Sequence, residues 1–518
     1  MCEERALCEM PYSLRSTALA TVAVAFLTPY SRTMHLRALS LRSRLPLALA
    51  LGLAACRDPA TTKSDAASDD TSIAIDTADT TDTADSVDAP ATEATPTDIT
   101  AVLSEYVSTV VIVRWHTDIP TIGHVEFGEP RGGEPFRLRT PNTEPSTEHE
   151  VLLLGLYADT EFNFRVVTDS SDSGGEADSQ ASRDLAITTG SLPAGLFPLR
   201  VTGEATSWSG YQVLPLQGSS YAIAVVDAWG RYVWWHLVEQ EGNLMRGVLS
   251  VDGKSLVYML AGPQNHLEES KIVRVSLDGG TVVEEVVAGA DHDFTELPDG
   301  TLAVIVVEPG GNPGQTADTI VEISPSGQRT KVWSAWDSWD PATLPSDPNG
   351  NWTHANAIDY IASEDAYYFG MKNLGGMVKI DRASGEVLWA INGILNEFTF
   401  TDGSNGLEMC HQFEVQDDGH ILFFENGDRR GYSEVRELQI DVDRRTATPT
   451  WEYTHDPRLL VFAKGDVHRF EDGNVQVVWS TAGEIQNVTP EGDVTWQLNL
   501  DLGQVVTFVQ IVDSFYGP

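Results

Sequence analysis

Four of the twelve histidines, His292, His354, His411 and His468, each stand at or near the head of a short strand-like pattern, at intervals of 62, 57 and 57 residues. Twelve histidines placed at random would seldom fall into that phase. Imidazole can change protonation near neutral pH, so several rings brought into one partly dry pocket could move protons, attack an electrophile or bind iron. Bringing them together is costly, because each ring then has polar atoms that need partners. The bland alternative is a set of histidines that fill a channel mouth and are bridged by water. Arg469, beside His468, could present the polar group in its place.

The elements that must position these rings are repeats. Four plain copies run His292 to Trp333, His354 to Ile391, His411 to Tyr453 and Asp466 to Leu498. Two degenerate copies precede them, Gly210 to Leu237 and Arg246 to Val287. Each holds four short strands, with a turn after the first and a glycine turn before the last. This is the grammar of propeller blades, and six copies predict an all-β, six-bladed β-propeller over residues 200–518. The first strand of every blade lines the central channel, so residues at one place in that strand form a ring about the axis. Trp235, Trp333, Trp389, Trp451 and Trp496 recur late in their copies, where a bulky ring packs blade on blade. The segment after Trp496, ending VVTFVQIVDSFYGP, is expected to close the ring by pairing with an early blade.

Residues 99–190 alternate as short strands broken by turn signals, which predicts a small antiparallel sandwich. The stretch HEVLLLGLYADTEFNFRVV resembles the fibronectin type III pattern, with Leu156 before the corner and Phe162 where that family usually has tyrosine. Such a module commonly orients or dimerises its neighbour, so the resemblance admits a homodimer. His116, His124 and His149 read as surface or strand-edge residues. From Met34, Arg37, Arg42 and Arg44 precede the apolar run Leu45 to Ala55, the layout of a secretory signal and too short for a membrane span. It ends Leu53-Ala54-Ala55-Cys56, which resembles the bacterial lipobox. Residues 1–55 are therefore read as a mis-started leader plus lipoprotein signal, with Cys56 as the lipid-attachment residue. Residues 56–98 are read as that cysteine and a disordered acidic linker. The expected location is the cell envelope, with contact to the membrane through the lipid alone.

The net charge of -43 sets the chain against nucleic-acid binding, since a surface so acidic repels a phosphate backbone. Cys2, Cys8, Cys56 and Cys410 are too few and scattered for a disulfide framework or a cysteine-ligated zinc site. The reading includes no cofactor and no metal. The insert from Ser334 to Gly350, with Trp336 and Trp339, is a candidate aromatic wall for a bound ligand.

The stretches Asn351-Trp352-Thr353-His354-Ala355-Asn356-Ala357-Ile358, KNLGGMVKIDRASGEVLW, Cys410-His411-Gln412 and Phe423-Phe424-Glu425-Asn426-Gly427 resemble the bacterial arylsulfate sulfotransferases. The resemblance implies transfer of a sulfuryl group from a phenolic sulfate ester to a phenol acceptor, without nucleotide. It implies that His411 is the nucleophile that carries a transient sulfohistidine. His292, between Asp291 and Asp293, would protonate the departing phenolate and then deprotonate the acceptor; the carboxylates could fix its tautomer. His354 and Asn356 would bind sulfuryl oxygens, and Lys372 stands where that family usually carries arginine. His468 is a further candidate for substrate contact through its place in the ring. Two alternatives stay open: a non-catalytic propeller lipoprotein that binds a ligand or a protein, and a four-histidine non-haem iron oxygenase.

Overall fold

The computed structural model describes residues 94–516 apart from 131–135, 171–178, 240–241, 264–266, 311–313, 344–349, 405 and 409. The leader, Cys56 and the linker as far as residue 93 lie outside the described residues.

Six sheets, antiparallel apart from the short parallel pairing of Thr399–Phe400 in the fifth, make the six-bladed propeller. Blade 1 has strands Tyr211–Gln217, Tyr221–Asp227 and Tyr232–Leu237. Its inner edge is completed by Val505–Val506 and Gln510–Val512 from the end of the chain. Blades 2 to 5 begin on the inner strands Asn243–Leu249, Ala290–Glu296, Ala355–Ile361 and Cys410–Val415. Blade 6 begins on Asp466–Arg469, and its outermost strand Val494–Asn499 pairs with Arg200–Gly203. The ring is thus closed twice, by the carboxyl-terminal segment on blade 1 and by the entering chain on blade 6. The added strands also cover the inner edge of blade 1 and the outer edge of blade 6.

The strands form because their residues suit two packed faces. Ala366–Met371, reading AYYFGM, is buried at every position, as expected of a strand sandwiched between neighbouring blades. The repeated tryptophans do pack blade on blade. Trp333 of blade 3 meets Phe369 of blade 4 at 5.2 Å, and Trp496 of blade 6 donates its indole N–H to the Ala228 carbonyl of blade 1 at 2.8 Å. Trp451 is half-exposed and stacks on Tyr453. Trp336 and Trp339 lie against Trp352 and Trp333, so they anchor the insert to blade 3; neither forms a free-standing wall.

Residues 97–188 form a seven-stranded sheet of their own around the long strand Val111–Gly128. Its first half pairs with Thr97–Leu103 and Ser146–Leu153, and its second half with Glu161–Ser170. Trp115, Phe127, Leu156, Phe162 and Phe164 are buried in its core. His124 and His149 are buried here, against the expectation of surface or strand-edge positions. His149 stacks on Trp115 at 4.7 Å and bonds Thr121 and Thr143, which satisfies both ring nitrogens.

Candidate active site

The inner strands of blades 2, 3, 4 and 5 share one irregularity, a shift of register near their entry, between Leu244 and Gly247, Ala290 and Phe294, Ala355 and Ala357, and Cys410 and Phe413. Bulges bend a strand and re-aim its side chains. Counted back from the turn that ends each strand, marked by the bonds Gly300 N–H to Leu297 O, Glu364 N–H to Ile361 O and Gly419 N–H to Gln416 O, the equivalent residues are His292, Asn356 and His411. His354 lies two residues earlier, just before its strand. His292 and His354 take left-handed backbone angles, φ 63° and 48°, a conformation that costs a non-glycine residue about 1–3 kcal/mol. That cost brings their rings together, with centroids 4.9 Å apart.

Each imidazole has a different electrostatic setting. His292 Nδ1 lies 3.1 Å from Asp291 Oδ2, while its own backbone N–H donates to Asp291 Oδ1 at 2.9 Å. Burial disfavours the His292 cation, but the charge and hydrogen bond of Asp291 outweigh it and raise the pKa above 6.5. Asp291 is held low in turn, because His292 and His354 overcome its own desolvation. For His354, burial and the charges of His292 and Lys372 depress the pKa to about 3. For His411, burial and the charges of His292, Lys464, His354 and Lys372 act in one direction and push its pKa well below 6.5. His411 is buried with an unpartnered Nδ1 and packs on Phe508 with ring centroids 5.9 Å apart. An imidazole favoured as the cation thus touches a neutral one at 4.9 Å, and a third, His411, lies near enough to feel both charges and is kept neutral.

The supporting groups are buried carboxylates. Asp318 accepts the Thr353 hydroxyl at 2.5 Å and the Ala355 N–H at 2.7 Å, which fixes the turn that carries His354; burial pushes its carboxyl up to about 6. Lys372 follows the second strand of blade 4 and its backbone N–H donates to the His354 carbonyl at 3.0 Å. Asn356 is fully buried, reaching the Cys410 carbonyl at 3.4 Å with its amide nitrogen while its Oδ1 has no partner. Cys410 is a free thiol, and burial raises its pKa well above the usual value. Beneath the histidines, Arg246 grips Asp293 at 2.5 and 3.1 Å, and Gln412 adds a bond at 3.2 Å, forming a floor across the channel.

His468 is not part of this group. Counted from the turn, it matches Thr295, Asp359 and Glu414, and with them it lines a cavity of about 310 Å³ on the other side of the floor. There its Nδ1 sits 3.2 Å from Glu414 Oε1. The ring place in blade 6 falls to Gly465, whose own neighbour Lys464 acts electrostatically on His411. The four-imidazole cage required by an iron site does not form, and among the described residues no three His, Cys, Asp or Glu side chains are grouped to hold a metal ion. Counting back from the turn Phe470–Gly473 gives Gly465, with Lys464 just before it, a place that no repeated residue type marks in the sequence.

A sequence model of the family described as Arylsulfotransferase (ASST) matches residues 211–499, all six blades. No curated protein matches the chain. Among solved structures the chain is similar to a protein of unknown function from Bacteroides caccae, at 13% identity over 58% of this chain and 98% of that one, with a TM-score of 0.41. A virginiamycin B lyase from Staphylococcus aureus shows 16% identity over 55% and 73%, TM-score 0.31. The Cps50 (Swd1) β-propeller domain from Myceliophteria thermophila shows 14% over 57% and 88%, TM-score 0.34.

Proposed function

The chain belongs to the arylsulfotransferase family, and on that premise we propose that it moves a sulfuryl group from a phenolic sulfate ester to a phenol through a sulfohistidine on His411. The observation that carries the reading is a buried His411 with an unpartnered Nδ1, kept neutral by burial and by the charge of a His292 whose proton Asp291 holds from 3.1 Å. A neutral His411 has a free lone pair for the sulfur. As its N–S bond forms, the S–O bond to the donor phenolate breaks, and protonated His292 gives that oxygen its proton. The neutral His292 then takes the proton of the acceptor phenol, whose oxygen attacks sulfur and releases His411. His354 and Lys372 are assigned to the sulfuryl oxygens, where a preorganised donor is worth about 3 kcal/mol in the transition state. Asn356 is assigned to the same oxygens through its amide N–H groups, one of which reaches the Cys410 carbonyl at 3.4 Å and leaves the other to donate.

The reading extends to the leader: Cys56 carries a lipid that holds the enzyme in the cell envelope, and the sandwich is a fibronectin type III-like module. The support for both is the residue pattern alone. The test of the reaction is direct. Incubation with 4-nitrophenyl sulfate and a phenol should release nitrophenolate in step with a new aryl sulfate, and His411→Ala should abolish both. Full activity in His411→Ala would remove the assigned nucleophile.

A further inference from the structure

We propose that Lys464 is a substrate-contacting residue of this site, its ammonium binding an oxygen of the aryl sulfate's sulfuryl group together with Lys372. The inference rests on the sulfuryl-transfer reading and adds a residue to it. Blade 6 presents glycine at the ring place, so its nearest polar side chain is the residue before, at the place occupied by Asp291 in blade 3 and Cys410 in blade 5. Lys464 has φ 62°, the same left-handed backbone as His292 and His354. Strain of this kind at three facing positions of different blades marks a constructed site.

The ammonium does not end in solvent. It crosses from blade 6 to bond Gln217 Oε1 of blade 1 at 2.8 Å and the Leu244 carbonyl of blade 2 at 3.2 Å. An ammonium has three protons, and these two acceptors are neutral. In a chain with 76 acidic and 33 basic residues, a half-buried lysine held by neutral acceptors is placed to receive an anion from outside. Its field reaches the right atoms: it lowers the proton affinity of His411, and Asp291 acts back on it. Burial brings its own pKa down to about 7 against the pull of Asp291, and a bound anion would favour the ammonium further. A sulfate monoester supplies one negative charge. During transfer the S–O bond breaks and the N–S bond forms with no proton taken from Lys464, which acts in its ammonium form by charge and hydrogen bonding. Two point charges, Lys372 and Lys464, thereby stand in for the forked guanidinium that the family resemblance leads one to expect at position 372.

The experiment uses the full chain and two variants, Lys464→Met and Lys464→Arg, which meet the same backbone cost at φ 62° and are matched by melting temperature. Donor kcat/KM with 4-nitrophenyl sulfate should fall ~100-fold or more in Lys464→Met and stay within about tenfold of wild type in Lys464→Arg. Equilibrium binding of 4-nitrophenyl sulfate is measured in parallel in a His411→Ala background, which cannot turn it over; adding Lys464→Met should weaken it about tenfold. Activity and binding both within about threefold of the parent would overturn the assignment, as would equal losses in Met and Arg with binding unchanged, the pattern of a strap between blades. Absence of both turnover and binding in the wild type would instead refute the sulfuryl-transfer reading itself.

Discussion

Replacing Asp291 by asparagine removes the charge that keeps a proton on His292 without changing the size of the side chain. The pair is 3.1 Å apart and both partners are mostly buried, at 19% and 14% side-chain exposure. An opposite charge this close typically moves a pKa by about 1–3 units, equivalent to ~1.4–4 kcal/mol. The sign follows from the role. His292 donates as the cation, so donor turnover is full below its pKa and declines as pH rises through it. In Asp291→Asn that alkaline limb should move down by about 1–3 units, with rates at pH 8 about 10- to 1,000-fold lower and recovery at mildly acidic pH. The loss should also depend on the leaving group. Phenyl sulfate, whose phenolate is basic, needs the proton and should suffer most; 4-nitrophenyl sulfate should suffer far less. The assay is the pH profile of kcat/KM for both esters. A uniform loss at every pH and for both esters would refute the reasoning and leave Asp291 as a structural partner only.

Other perturbations test other parts of the account. His468→Ala should change donor kcat/KM by less than about threefold, since that ring lies below the Arg246–Asp293 floor; a loss of ~100-fold would put it back in the site. Gly465→Ala should cost ~3 kcal/mol or more in denaturant unfolding, because a Cβ there collides with the Phe424 ring at φ 114°; an unchanged midpoint would contradict the packing. Burial, partly offset by Arg246, pushes the Asp359 carboxyl up to about 6 from an ordinary 3.8. Its stabilising contribution is therefore complete below 3.8 and lost as pH rises through 6, so the charged form costs up to about 3 kcal/mol at pH 8. Asp359→Asn should raise the melting temperature at pH 8 and give no gain at pH 4; a gain of equal size at both would point to another cause.

Much of the architecture could be read from the chain because it depends on periodic features. The turns after His292 and His411 recur at the same distance from the strand heads, and the apolar segment around Val505 needed a partner that blade 1 supplied. What could not be read depends on local irregularity. The left-handed backbone at His354 sets it two residues off the ring yet in contact with His292, which spacing alone does not reveal. His468 failed in the opposite way: its interval matched, but the strand of blade 6 places it on the far side of the floor. His149 looked like an edge residue because its burial comes from Trp115 on a neighbouring strand, a tertiary contact without a local signal. Lys464 was hidden because blade 6 fills its place with a different chemical type.

The most direct test is chemical. The enzyme is mixed with 4-nitrophenyl sulfate without acceptor, quenched in base, digested and sequenced by mass spectrometry. One sulfuryl group should appear on the peptide at His411, in an amount equal to the burst of nitrophenolate, and should disappear when phenol is added before the quench. A full burst with the label on another side chain, or with no label surviving conditions that preserve authentic sulfohistidine, would contradict the account.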